Sequence, residues 1–165
     1  HRQGWRGVNI DATPESMRAF TRARPHDSNW EVCIGETKGK QKYYIFSDSA
    51  LNTTSLAQAQ SVIASKQSSA VRVKTVVTLP LATVLHRSVS QGTRIDLLNI
   101  DVEGHELAVL QSNDWKHFIP RVIVVELLGA YTLAAVAGHQ VSLFLATKNY
   151  QAIAKTGNSV IFISI

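Results

Sequence analysis

Ile95-Asp96-Leu97-Leu98-Asn99-Ile100-Asp101-Val102-Glu103-Gly104-His105-Glu106 is the stretch that decides how this chain folds. Its first half is a short apolar run of strand length that closes on an acid, Asp101. Its second half turns at Gly104 and leads into a helical pattern carrying Leu107 and Leu110. A run of this kind, apolar without strict alternation, is buried on both faces, which is the habit of a parallel sheet covered by helices.

Two other stretches repeat the theme. Gly7-Val8-Asn9-Ile10-Asp11 is a strand ending in an acid, with Thr13 placed to cap a following helix and Pro14 at its first position. Pro120 precedes the apolar run Val122-Ile123-Val124-Val125, which closes on Glu126. Between them, Trp30 to Ile34 and Lys42 to Ser47 read as strands joined by the turn Lys38-Gly39-Lys40, a candidate hairpin. Residues 49 to 69 are rich in Ser, Ala, Gln and Thr and read as a flexible loop or a weak surface helix over Leu56 to Lys66. Val71 to Leu79 alternates as a strand, Leu81 to Leu85 is a short helical piece, and Val141 to Lys148 is a further helix. Two strands near Gln151 to Ala154 and Val160 to Ile165 close the chain as an antiparallel edge. The expected fold is α/β: a mainly parallel sheet with helices on both faces and an antiparallel C-terminal edge.

The chain has 165 residues, 45% hydrophobic and 18% charged, which excludes bulk disorder and suits one domain over 1–165. The single Cys33 rules out an intrachain disulfide and a cysteine-rich zinc site, and it suits a reducing compartment. Leu127 to Thr147 carries no Asp, Glu, Lys or Arg, but Gly129, Thr132, Gly138, His139, Gln140 and Ser142 interrupt it, so it is not read as a membrane span. With no export signal in view, a cytoplasmic location is expected. The net charge of +5 lies wholly in residues 1 to 74, where 11 Lys and Arg stand against 6 acids. Those basic residues are interleaved with acids and lack a recognition module, so a solvated basic face is expected and nucleic acid is an unlikely partner.

In open α/β sheets the ligand crevice lies beyond the carboxyl ends of the strands, where Asp11, Asp101 and Glu126 stand. Asp11 is placed to accept hydrogen bonds from ribose hydroxyls. Asp101 and Glu103 leave their strand two residues apart, where carboxylates can orient a cation or take a proton from a hydroxyl. Asp101, Glu103, His105 and Glu126 offer oxygen and nitrogen donors, but strand-end acids serve capping and electrostatic ends equally well, and no metal is assigned. No G-x-S-x-G, Walker A, H-E-x-x-H or G-x-G-x-x-G pattern occurs.

Taken in order, Gly4-Trp5-Arg6-Gly7-Val8-Asn9-Ile10-Asp11-Ala12-Thr13-Pro14, Val32-Cys33-Ile34-Gly35, the segment 95–106 and Val122 to Glu126 resemble the FkbM family of S-adenosylmethionine-dependent methyltransferases. I-D-V-E-G-x-E is the most specific element, followed by G-W-R-G ahead of an acid and a proline. The resemblance implies the Rossmann-like class I methyltransferase sandwich and methyl transfer to a hydroxyl of a sugar, polyketide or other small metabolite. It implies that Asp11 holds the cofactor ribose, that Ile10 and Ala12 flank the adenosine, and that Cys33, Ile34 and Gly35 line the adenine end. Asp101 and Glu103 would stand by the methyl donor and acceptor as the catalytic pair, with His105 and Glu126 on the acceptor side. The family's first strand and glycine-rich loop would precede Gly4, so a further N-terminal segment is expected. The rival expectation is a non-catalytic, degenerate methyltransferase fold that binds an anionic partner through its basic first half.

Overall fold

The computed structural model describes residues 3–68 and 71–165. The chain divides into two compact units, His1–Val89 and Ser90–Ile165, each built from strands and helices.

In the first unit, β1 (Val8–Asp11) pairs in parallel with β2 (Ser28–Glu31), and α1 (Ser16–Ala23) connects them. The helix starts later than Thr13 and Pro14 predict. Glu15 takes a left-handed conformation (φ 70°) at the cap position, and the Thr13 carbonyl accepts the Ser16 N–H at 3.1 Å. After Val32 the chain continues as β3 (Cys33–Ile34), then β4 (Gly39–Phe46), a 3-10 turn at Ser49–Leu51, α2 (Leu56–Ala64), β5 (Val71–Leu79) and α3 (Leu81–Ser88).

These three strands form a sheet in the order β3-β5-β4, with β3 parallel and β4 antiparallel to β5. The hairpin expected around Lys38 to Lys40 is therefore not formed, because β5 lies between the two strands and Thr78 faces both Cys33 and Gly39. A long alternating strand that buries Val76, Thr78 and Leu79 near its C-terminal end offers more pairing and more apolar contact than the two-residue β3 can. One core cluster gathers Val32, Leu79 and Val84 with Val8, Ile10, Trp30 and Ile34. A second gathers Tyr43, Ile45 and Val76 with Ala12 and Cys33, and a third packs Phe46 against Ala59 and Val62 of α2. The polar segment after β4 is thus anchored: Asn52 and Thr53 are buried, and Tyr44 and Thr53 exchange backbone hydrogen bonds of 2.8 and 3.1 Å.

In the second unit, β6 (Leu97–Ile100) and β7 (Val122–Glu126) are parallel, and β9 (Ser159–Ser164) pairs antiparallel with both β7 and β8 (Tyr150–Thr156), giving the order β6-β7-β9-β8. α4 (Glu106–Gln111) makes the crossover, and α5 (Leu133–Gly138) and α6 (Gln140–Ala146) precede β8. α5 falls in a stretch to which the sequence pattern assigns no element; Thr132 caps it by accepting the Ala135 N–H at 3.1 Å. Leu110, Ile123, Val125, Val141, Leu145, Val160 and Phe162 are fully or almost fully buried and form the interior of this unit. Trp115 packs edge-on against Phe144 and Tyr150, with ring centroids 6.0 and 5.8 Å away. β8 is an outer strand, and its register slips between Ala152 and Ala154, leaving Ile153 unpaired and 56% exposed.

The sheets are mixed rather than mainly parallel, because the β4–β5 ladder is antiparallel as well as the expected C-terminal edge. Among the described residues no helix is long and apolar enough to cross a membrane.

Candidate functional site

In the Ser90–Ile165 unit the sequence ends two parallel strands in acids, and the fold gathers them. Asp101 is the first residue past β6, Glu103 follows two positions on, and Glu126 is the last residue of β7. One carboxylate oxygen from each lies within 4.8 Å of the others. The turn that presents Glu103 is tight: Glu103 (φ 52°) and Gly104 (φ 96°) are successive left-handed residues. For a residue with a side chain that conformation costs about 1–2 kcal/mol, which glycine avoids. Glu106, buried in the first turn of α4, folds back so that its Oε1 accepts the Gly104 N–H at 2.9 Å. His105 is half-buried at the start of α4, where its carbonyl accepts the Val109 N–H at 3.1 Å; its ring is not part of the carboxylate cluster.

Three carboxylates so close cannot all ionise without mutual repulsion in a partly desolvated place. Partial burial, then the charges of Glu126, Asp101 and Glu106, push the Glu103 carboxyl up to about 7. Glu126 is also raised, by burial and then by the charge and hydrogen bonding of Asp101. One donor opposes this: the Asn158 side-chain amide gives a hydrogen bond to Glu126 Oε1 at 3.4 Å. The cluster can therefore hold and release a proton near neutrality, and its hard oxygen donors are of the type that a divalent cation takes.

In the His1–Val89 unit, Asp11 closes β1 and bends the chain into a side-chain-stabilised turn, its Oδ1 accepting the Thr13 N–H at 2.7 Å. The other carboxylate oxygen has no hydrogen-bond partner among the described residues. The Thr13 hydroxyl lies 3.1 Å from the phenol of Tyr43 on β4 and 3.4 Å from the side-chain amide nitrogen of Asn52. Cys33 Sγ accepts a hydrogen bond from Gln41 Nε2 at 2.8 Å, and burial pushes the thiol up, so it stays protonated at neutral pH. Gly35 passes so close to β5 that a Cβ there would stand 2.8 Å from Thr78 Cγ2. A family model described as the methyltransferase FkbM domain matches residues 1–152 of the chain.

The chain belongs to the FkbM methyltransferase family. No curated protein and no solved structure gives a significant match. The FkbM match takes in Asp11, Cys33, Asp101, Glu103 and Glu126 and stops before Asn158. Of the residues that FkbM resemblance assigned to the cofactor, Ala12 and Cys33 pack against the cluster of Tyr43, Ile45 and Val76, and Asp11 is linked to Tyr43 through Thr13. Ile10 and Ile34 pack with Val32, Leu79 and Val84 instead, as core side chains. Asp101 and Glu103, which the resemblance assigned to the methyl donor and acceptor, meet Glu126 at the strand ends. Sequence reasoning missed Asn158, Tyr43 and Asn52. Asn158 lies in a hairpin turn and Tyr43 in an apolar strand, so neither carries a local signal; what places them is which strands pair.

Proposed function

We propose that this FkbM-family chain is an S-adenosylmethionine-dependent methyltransferase that methylates a hydroxyl of a small molecule, a sugar, polyketide or other metabolite. The observation that carries this reading is the convergence of Asp101, Glu103 and Glu126 within 4.8 Å at the carboxyl ends of parallel strands. The residues of the first unit fit the adenosine half of the cofactor. Among the described residues one Asp11 carboxylate oxygen has no hydrogen-bond partner, which suits an acceptor of ribose hydroxyls. Cys33, Ile34 and Gly35 are the adenine side in this reading, at the end of β3, where Thr78 Cγ2 already fills the space that a side chain on Gly35 would need.

When bound, the cofactor supplies an electrophilic methyl carbon on a sulfonium. The protein's task is then to align the acceptor and take its proton. Glu103 is the base in this reading: its carboxyl, pushed up to about 7, is basic enough to accept a hydroxyl proton yet substantially ionised at neutral pH. Burial and then the charges of Glu126 and Asp101 maintain that basicity; His105 and Glu126 are the acceptor-side polar groups in this reading. The free thiol of Cys33 suits a reducing compartment, and we place the reaction in the cytoplasm.

The test is calorimetric titration with S-adenosylhomocysteine. Saturable one-to-one binding is expected. A folded protein that takes up none overturns the enzyme reading in favour of a non-catalytic binding module.

A further inference from the structure

We propose that Tyr43 and Asn52 are positioning residues for the cofactor, holding the Asp11–Thr13 turn in the shape that presents Asp11 to the ribose. The proposal rests on the methyltransferase reading above and adds to it a pair of side chains from a strand and a loop that lie far from Asp11 in sequence.

Both side chains are buried, each 7% exposed. A buried phenol or amide is costly unless its polar atoms are paired, so the partners it finds fix its place. Tyr43 packs its ring with Ile45 and Val76 and brings its hydroxyl to 3.1 Å from Thr13 Oγ1. Asn52 accepts the Phe46 N–H on its Oδ1 at 2.8 Å and donates from Nδ2 to the same Thr13 Oγ1 at 3.4 Å. Thr13 is thus gripped from two directions by its hydroxyl, while its N–H is the group that orients Asp11, at 2.7 Å.

The loop that delivers Asn52 is itself fixed. Asp48 accepts the Ala50 N–H at 3.0 Å, and Thr53, 2% exposed, is laddered to Tyr44. The phenol is a neutral group throughout the physiological range, since burial raises it further from ionisation. A carboxylate held in one orientation before the ligand arrives loses less conformational freedom on binding, and its ribose contacts come at their full strength. Two buried polar side chains converging on the one residue that steers Asp11 do this work; paired only with each other they would serve packing alone.

The experiment compares S-adenosylhomocysteine with its 2′-deoxyribose analogue by calorimetry, in the parent protein and in Tyr43→Phe, Asn52→Ala, Thr13→Val and Thr13→Ser. Tyr43→Phe keeps the ring and removes only the hydroxyl. Losing one such hydrogen bond to the turn should weaken S-adenosylhomocysteine about fivefold and leave the deoxy analogue little changed, so that discrimination between the two shrinks. Thr13→Val should do the same and make Tyr43→Phe silent in combination, while Thr13→Ser restores the parent's discrimination. Equal weakening toward both ligands marks a merely structural role and overturns the proposal, as does unchanged binding in Tyr43→Phe and Thr13→Val. Failure of the parent to bind S-adenosylhomocysteine at all overturns the underlying methyltransferase reading as well, and is told apart by that control.

Discussion

Asn158 holds the end of β7 twice: its side-chain amide donates to Glu126 Oε1 at 3.4 Å, and its backbone carbonyl accepts the N–H of Leu127 at 2.8 Å. The backbone bond docks the β8–β9 turn whatever the side chain, whereas the amide acts on the carboxylate alone. Asn158→Ala should therefore leave the fold intact and move the Glu126 carboxyl to higher pKa, since the group that favours its ionised form is gone. Carbon-13 titration of the glutamate carboxyls reads this directly, and an unmoved Glu126 refutes it.

Glu103→Gln keeps the side chain's size and removes its basicity. Turnover should fall about 100-fold or more, the usual contribution of a positioned base, while S-adenosylhomocysteine binds as before. In the parent, turnover should rise with pH through about 7, where the Glu103 carboxyl loses its proton, and the variant should lose that dependence. Rate against pH for both proteins, with a hydroxylated acceptor, is the measurement.

The same carboxyl ties stability to pH. Its folded pKa, about 7, lies above the ordinary value of 4.5, so between these limits the folded state binds more protons than the unfolded one. Stability from this group is complete below about pH 4.5 and is lost as pH rises through about 7. Glu103→Gln should then melt higher than the parent at pH 8 and close to it at pH 4. Thermal melts at both pH values decide, and a variant that gains nothing at pH 8 contradicts the crowding argument.

Gly35→Ala tests the close approach of β3 to β5. The added Cβ would stand 2.8 Å from Thr78 Cγ2, on a residue that is 8% exposed and has little room to turn away. Overpacking of this kind costs about 1–3 kcal/mol. Denaturant unfolding should show the loss in midpoint with an unchanged slope.

Much of this architecture was legible from pattern alone. Val71–Leu79 and Val122–Glu126 are strands with the bounds that β-branched runs and flanking proline predict, and Glu106–Gln111 follows its glycine turn as a helix. The acids at the ends of β6 and β7 were found because a strand end is a position that sequence marks, and the fold brings Asp101, Glu103 and Glu126 together. Pairing was not legible. Periodicity says that Gly39–Phe46 is extended but not that β5 separates it from β3, so the hairpin reading failed there. α5 was missed because Leu133–Gly138 is mostly small residues beside glycines, a composition shared by loops. Asn52 sits in a polar stretch that resembles mobile chain, and its bonds to the backbone of Phe46 and the hydroxyl of Thr13, formed only in the fold, make it a buried fixture.

The slipped register of β8 has a consequence for the protein in bulk solution. A rim strand with evenly spaced free amides is a template on which a second chain can zip itself, the first step toward fibres. The extra residue at Ile153 breaks that even spacing midway along the strand, so an incoming chain meets two short, mismatched segments instead of one long one. An apolar side chain exposed at this rim is thereby made harmless by backbone geometry rather than by charge, and deleting Ile153 should promote association edge to edge.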